Sequence, residues 1–300
     1  MSLIVIGSLA FDTIETPCER RERIVGGSGT YCSLAASYFT RPRVVSVVGR
    51  DFPERFLEFL RKRGVDLRGV QVKPGKTFHW EGLYGEDPNQ RTTVKTELNV
   101  FGRFKPVLPA SSRRADIVYL ANIDPELHES ILAQTGRPKI IAMDTIRFWI
   151  QNKRQALLKE IGRADIFFAN DEEVRMLADG ETNLIRAAKK LLNLGPKLLI
   201  VKKGEHGALI LNKNFVFGVL AHPCEAVVDP TGAGDCFAGG FLGYLDKIQK
   251  FTPAEFRRAT VFGSIMASFA IEDFGIGRFE TLSMAEIDKR FKDFKRLVSF

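Results

Sequence analysis

Between Asp229 and Asp235 the chain sets two carboxylates around Pro230, Thr231, Gly232, Ala233 and Gly234, just before a segment of helical periodicity. Phe237, Phe241, Leu242 and Leu245 recur at helical spacing and would bury one face, while Gly239, Gly240 and Gly243 leave room for a neighbouring element. The helix therefore starts at Gly232 to Asp235. Its first N–H groups lack partners within the helix and its dipole is positive at that end, which suits an anion. Gly232 and Gly234 let backbone approach a ligand that a side chain would hold off. A carboxylate at Asp235 repels such an anion unless it has another task. The economical task is proton abstraction, a general base held where negative charge is managed. The competing reading is an acid favoured by the dipole of the first turn.

Other residues stand where a βα chain exposes ligand contacts. Asp12 follows an apolar strand, Leu3 to Ile6, that ends at Gly7-Ser8, and ligands collect beyond the carboxyl ends of such strands. Gly26-Gly27-Ser28-Gly29 opens a second helix, marked by Tyr31, Leu34, Ala35, Tyr38 and Phe39. Asn122 and Asp144 close later strands, and Asn170 is an N-cap with acids, Glu173 among them, in the first turn. Lys202-Lys203-Gly204-Glu205-His206-Gly207 is a strand end followed by a two-glycine turn, where Lys203 can meet a phosphate as a point charge and His206 reads as an exposed turn residue. No G-x-x-x-x-G-K-[ST] run exists, and the stretch from Gly232 lacks the third glycine of a dinucleotide fingerprint.

The elements that must position these residues follow from pattern. Val44–Val48, Asp116–Ala121, Ile140–Met143, Ile166–Ala169 and Leu198–Val201 are continuous apolar runs, hence strands covered on both faces of a largely parallel sheet, and from Ala115 onward each strand is expected to lead into a helix. Pro53 to Arg63 reads as a helix with Phe56, Leu57, Phe59 and Leu60 inward, Gly64 as its stop and Asp51 as its cap. Residues 70–104 change character. Short alternating runs, Thr77–Tyr84 and Arg91–Lys95, flank Gly85-Glu86-Asp87-Pro88-Asn89 and predict antiparallel hairpins. Pro253–Ala270 is a long helix, Asp273 to Gly277 a turn, and Met284–Leu297 an amphipathic closing helix.

With 300 residues, 45% hydrophobic and 27% charged, the chain is globular. The net charge of +8 is spread among acids, as in Glu19-Arg20-Arg21-Glu22-Arg23, so no basic tail marks a nucleic-acid binder. No stretch has the length of a membrane span. Cys18, Cys32, Cys224 and Cys236 are scattered without metal-ligand spacing, and reduced thiols in a cytoplasmic protein are expected.

Asp229 to Asp235, reading DPTGAGD, resembles the C-terminal signature of the ribokinase family, also called the PfkB carbohydrate kinase family. The resemblance spans nearly the whole chain. It implies one α/β domain over residues 1–300, a three-layer α/β/α architecture with a mostly parallel sheet, and a small β-sheet lid from about 13–25 and 76–105. It implies an ATP-dependent kinase that transfers the terminal phosphoryl group to a hydroxymethyl group of a sugar, with Mg²⁺ and a monovalent cation, K⁺, as cofactors. A nucleoside is the alternative acceptor, and a catalytically silent binding protein on the same fold the second alternative. By position, Gly232, Ala233 and Gly234 form the anion hole and Asp235 is the base. Asp12, Gly26, Gly27 and Ser28 meet the acceptor, although Tyr31 or Thr30 stands where the family places asparagine. Asn170, Glu173, Lys203, Gly204, Gly207, Thr231 and Gly275 meet the nucleotide, Glu173 through water on Mg²⁺, and Asp229 faces the monovalent cation. Arg147, in Asp144-Thr145-Ile146-Arg147, loosely matches a family arginine that meets substrate. Partners are then small molecules, with no nucleic acid and no membrane, and pairing into a homodimer through the lid is implied.

Overall fold

The computed structural model describes residues 2–299. The chain opens with β1 (Leu3–Ile6), all four residues of which are buried, as an interior strand covered on both faces must be. Next come β2 (Ala10–Glu15), β3 (Arg20–Gly26), α1 (Ser28–Ala36), β4 (Arg43–Gly49), α2 (Glu54–Lys62), β5 (Asp66–Lys73), β6 (His79–Tyr84) and β7 (Arg91–Glu97). From there the order is β8 (Ile117–Leu120), α3 (His128–Leu132), β9 (Ile140–Met143), α4 (Arg147–Asn152), α5 (Arg154–Ile161), β10 (Ile166–Asn170), α6 (Asp171–Leu177), α7 (Leu184–Leu192) and β11 (Leu198–Lys202). It ends with β12 (Ala208–Leu211), β13 (Val216–Val219), α8 (Ala233–Ile248), α9 (Pro253–Ala270), α10 (Gly277–Thr281) and α11 (Met284–Leu297).

The nine-stranded sheet has the order β13-β12-β11-β10-β9-β8-β1-β4-β5. From β5 to β11 neighbouring strands run parallel. β12 and β13 turn back antiparallel. The expected helix after β11 is therefore absent: the tight turn through Gly204 and Gly207 sends the chain straight back along the same edge. Gly207 takes φ 78°, and a Cβ there would lie 2.0 Å from the Val219 carbonyl oxygen.

Alternate strand residues face opposite layers, which gives the three-layer α/β/α arrangement. Leu3, Val5, Ile117 and Tyr119 join one core with Phe237, Phe241 and Leu245 of α8. Ile4, Ile6, Val118 and Leu120 join another with Leu157 of α5, Val174 of α6 and Ala187 of α7. The glycines of α8 work as their spacing predicts. A Cβ at Gly239 would lie 2.3 Å from the Cys32 carbonyl oxygen on α1, and one at Gly240 2.7 Å from the Phe262 carbonyl oxygen on α9. α8 is thus wedged between two helices at backbone contact.

The small sheet has the order β3-β2-β6-β7. β6/β7 is the expected antiparallel hairpin; β2/β3 is a second one that the polar stretch from Thr13 did not announce, and β2 and β6 pair in parallel. The unit β4-α2-β5 between them supplies the crossover that parallel pairing needs. Leu57 and Leu60 anchor α2, and its N-cap residue is Pro53 rather than Asp51. No helix among the described residues is long and apolar enough to cross a membrane. All four cysteines are unpaired, with Cys32 and Cys236 buried.

Candidate active site

The parallel strands deliver their last residues to one edge, and polar side chains gather there. Asp144, just past β9, is buried at 5% exposure and accepts from Lys202 Nζ at 2.6 Å and from the Tyr119 hydroxyl at 3.4 Å. Lys202 ends β11, where the apolar run Leu198–Val201 gives way to a charge as the strand reaches the sheet edge. Burial disfavours its ammonium, but Asp144 and Glu173 more than offset this and hold it above its usual range. Lys202 also explains Gly234: a Cβ there would sit 3.1 Å from its Nζ, so the missing side chain lets the ammonium reach the glycine loop. The sequence pattern points to its neighbour Lys203, but it is Lys202 that lies against Asp144 and the glycine loop. A charge closing an apolar strand is the local signal of such a residue.

Gly232 caps α8 in the left-handed region at φ 77°, and its Cβ would strike the Tyr31 ring at 2.5 Å. Ala233 and Gly234 begin the helix, and Asp235 lies in its first turn, half-buried. Burial pushes the Asp235 carboxyl up to about 7 and Asp144 pushes the same way, while Lys202 and Arg91 pull it down. The loop before the helix is stapled. Asp229, fully buried, accepts from the Thr231 amide at 2.8 Å and from the Gly275 amide at 3.0 Å. Gly275, at φ 57°, thereby ties the turn after α9 to the glycine loop. The Thr231 hydroxyl lies 3.0 Å from that of Tyr84, which belongs to the small sheet.

Asp12 sits on β2, inside the small sheet, at 4% exposure. Burial raises its carboxyl to about 7, Asp229 and Asp235 adding to the effect and the Tyr31 hydroxyl, donating at 3.3 Å, working against it. A Cβ on Gly26 would fall 1.8 Å from Asp12 Oδ2, so the glycine is what lets the carboxylate lie against backbone. Gly27, φ 94°, starts α1. Ser28 is used by the scaffold. Its hydroxyl donates to the Ala121 carbonyl at 2.8 Å and lies 3.2 Å from Ser8 Oγ, joining the ends of β1 and β8. Tyr31, in the position where asparagine was expected, bridges Asp12 and Gly232 with one rigid ring.

Asn170 and Glu173 form a reciprocal capping box, each side chain bonding the other's backbone N–H at 2.8 Å. Glu173 is buried and held well above its usual range by burial, with Lys202 working against the shift and Asp144 for it. The box uses Oε2 alone, so the carboxylate keeps acceptor capacity on Oε1. That fits a magnesium ion, which keeps several waters and leans on one or two carboxylates plus substrate phosphates. Among the described residues no group of three acids, histidines or cysteines forms a metal cage. The turn after β11 is closed by the Lys203 amide donating to the Gly207 carbonyl at 2.8 Å. Gly204 lies under the β6–β7 loop, where its Cβ would meet Asn89 Oδ1 at 2.0 Å. Arg91 starts β7 and sets its charge near Asp235 and Glu173, which sequence reasoning missed because the contact joins distant parts of the chain. Arg147 is turned away in an ion pair with Glu172. Asp51 is not a cap: it accepts from the amide and hydroxyl of Thr77 at 2.8 and 2.7 Å and from Arg23 at 3.1 Å.

A carboxylate at a helix start, a glycine loop, a lysine at the end of a parallel strand and an arginine from the small sheet make a candidate phosphotransferase site on a ribokinase-like fold. Residues 2–281 match the pfkB family carbohydrate kinase profile. Over 251 residues, 81% of this chain and 88% of the other, it is 34% identical to the cytidine kinase of Thermococcus kodakarensis. A nucleoside kinase of Burkholderia thailandensis, solved with inosine, superposes with a TM-score of 0.79 over 97% of this chain and 98% of its own at 22% identity. An E. coli protein described as a putative ribokinase II, solved with ATP and Mg²⁺, gives 0.78 over 98% and 100%, also at 22%. The chain belongs to the PfkB carbohydrate kinase family. It is an ATP-dependent kinase that phosphorylates an alcohol group of a sugar or nucleoside.

Proposed function

We propose that the acceptor is a nucleoside, phosphorylated on its hydroxymethyl group, and that Asp235 removes the proton. The observation that carries the mechanism is the placement of Asp235 at the start of α8, half-buried, with Lys202 and Arg91 facing it. A base with a pKa near the working pH combines a useful ionised fraction with proton affinity. The amides of Gly232, Ala233 and Gly234, at the positive end of α8, take the charge that develops on the phosphoryl oxygens. Lys202, brought to the loop by the missing side chain of Gly234, adds a fixed positive charge there. Asp12 accepts from acceptor hydroxyls, with Gly26 and Gly27 shaping the backbone around it and Ser28 holding that backbone in place.

The nucleotide is assigned to the edge formed by Asn170, Glu173, Lys203, Gly204, Gly207, Thr231 and Gly275. Glu173 would hold Mg²⁺ through water, and the ion would supply charge neutralisation between the phosphates. A carboxylate offers about four lone-pair sites, so the two amides on Asp229 leave capacity for a monovalent cation. The small sheet serves as a lid that excludes water, since Tyr84 and Asn89 already reach Thr231 and Gly204. Leu83 and Val94, exposed on that sheet, suit pairing with a second copy, and unpaired buried thiols suit a reducing cytoplasm.

The nucleoside reading is supported by the cytidine kinase likeness over most of the chain and by the inosine-bound neighbour of like fold. An ATP-depletion assay over pooled nucleosides and pooled sugars tests it. Turnover with nucleosides is expected; turnover confined to sugars returns the acceptor to the first expectation, and none with either leaves a binding protein.

A further inference from the structure

We propose that His79 is a positioning residue for Asp12, acting through a hydrogen-bond relay that crosses all four strands of the small sheet. The proposal rests on Asp12 serving the acceptor, as assigned above. The relay begins on β3, where the Arg23 amide donates to Thr13 Oγ1 at 3.2 Å. Thr13, on β2, lies 2.9 Å from His79 Nε2 on β6. His79 Nδ1 lies 3.1 Å from Glu97 Oε2 on β7, its direct cross-strand partner.

The direction of the relay follows from chemistry. The Glu97 carboxylate can only accept, so His79 Nδ1 carries the ring proton and donates it there. In the neutral ring Nε2 is then an acceptor and takes the Thr13 hydroxyl proton, while a lone pair of Thr13 Oγ1 receives the Arg23 amide. That is the less common tautomer of a free histidine, imposed here by Glu97.

The relay matters to Asp12 because of where it holds the backbone. Asp12 pairs with Ile24 across β2/β3, and the register shifts before the next pair, Ile14 with Arg21. The extra residue lies on β3 opposite Thr13, and Arg23 takes φ 50° there, a left-handed conformation that few non-glycine residues adopt and that costs energy unless the surroundings hold it. Bulges of this kind re-aim neighbouring side chains. Two contacts enforce this one: the Thr13 hydroxyl on the Arg23 amide, and Asp51 on the Arg23 guanidinium at 3.1 Å. Asp51 in turn holds Thr77, whose hydroxyl also accepts from the Gly49 amide at 3.0 Å at the end of β4. The bulge beside the acceptor carboxylate is therefore clamped to the small sheet by Thr13, His79 and Glu97, and to the large sheet by Asp51 and Thr77.

The test uses the full chain with Thr13→Val and His79→Phe, Thr13→Ser as the conservative rescue, and Asp12→Asn as the reference. Nitrogen-15 spectra of the unaltered protein at neutral pH should show His79 protonated on Nδ1. Thr13→Val and His79→Phe should raise the acceptor KM about tenfold, a fraction of the hundredfold that an ångström of misplacement can cost. The KM for ATP should stay in place, and Thr13→Ser should restore the acceptor KM. An Nε2-protonated ring, or acceptor and ATP KM values that rise together, would overturn the relay as a positioning device, and so would an unchanged acceptor KM in Thr13→Val. If instead Asp12→Asn leaves the acceptor KM untouched while the tautomer is as expected, the assignment of Asp12 is what fails, and the positioning role goes with it.

Discussion

At the scale of single residues, the candidate site sets carboxylates against two cations in a poorly solvated place. Asp235→Asn should lower kcat by about 10²–10⁴ while leaving ATP binding near its original strength, measured by steady-state kinetics and calorimetry. Because burial raises Asp235 to about 7, and only its ionised form can take a proton, kcat/KM should fall about tenfold per pH unit below neutrality. Lys202 pulls that pKa down, so Lys202→Met should move the acid limb of the profile to higher pH. The same change strands Asp144, which is buried and loses its 2.6 Å partner, and about 3 kcal/mol of stability should go with it. Denaturant melts of Lys202→Met beside the double variant Lys202→Met/Asp144→Leu would show whether the loss comes from the uncompensated carboxylate.

At the scale of elements, the position of the helix start depends on how deeply α8 is seated. Gly239 places its α-carbon where a Cβ would come 2.3 Å from the Cys32 carbonyl oxygen, and backbone cannot yield as a side-chain tip can. Gly239→Ala should therefore push α8 off α1, costing about 1–3 kcal/mol by thermal melting and lowering kcat by shifting Asp235. The small sheet touches the glycine loop through the Tyr84 and Thr231 hydroxyls, 3.0 Å apart. Tyr84→Phe keeps the ring and removes that bond, so ATP hydrolysis without acceptor should rise relative to phosphoryl transfer, read as ADP formed per product formed. An unchanged ratio would deny this contact a part in excluding water.

At the scale of the whole molecule, the active edge is a cost to folding. Asp12 and Asp235 have folded pKa values near 7, above the ordinary carboxylate value, so the folded chain binds more protons than the unfolded chain between about pH 4 and 7. Their contribution to stability is full below the unfolded pKa and is lost as pH rises through about 7. Asp235→Asn should accordingly stabilise the protein at pH 8 by roughly 1–2 kcal/mol, a gain that shrinks toward pH 4. Melting curves of both proteins at the two pH values decide this.

The mostly parallel sheet, the start of α8 and the glycine loop were legible in the chain itself, because apolar runs, helical spacing and glycine placement are local properties that backbone geometry enforces. The capping box of Asn170 and Glu173 was legible for the same reason. Three features were not: the return of β11 into β12, the parallel seam between the two hairpins of the small sheet, and the true partner of Asp51. The first is written in the local turn through Gly204 and Gly207, which the apolar-run pattern of the strand outweighed; the other two depend on which distant segment lies alongside, and no local pattern encodes that. Lys202, at the end of β11, and Arg91, at the start of β7, come near Asp235 only in the folded chain, because elements far apart in sequence meet there. Residue type and spacing thus determined which chemistry the chain can perform. Folding alone decided which charges surround it, because electrostatic coupling depends on distance and burial rather than on order along the chain.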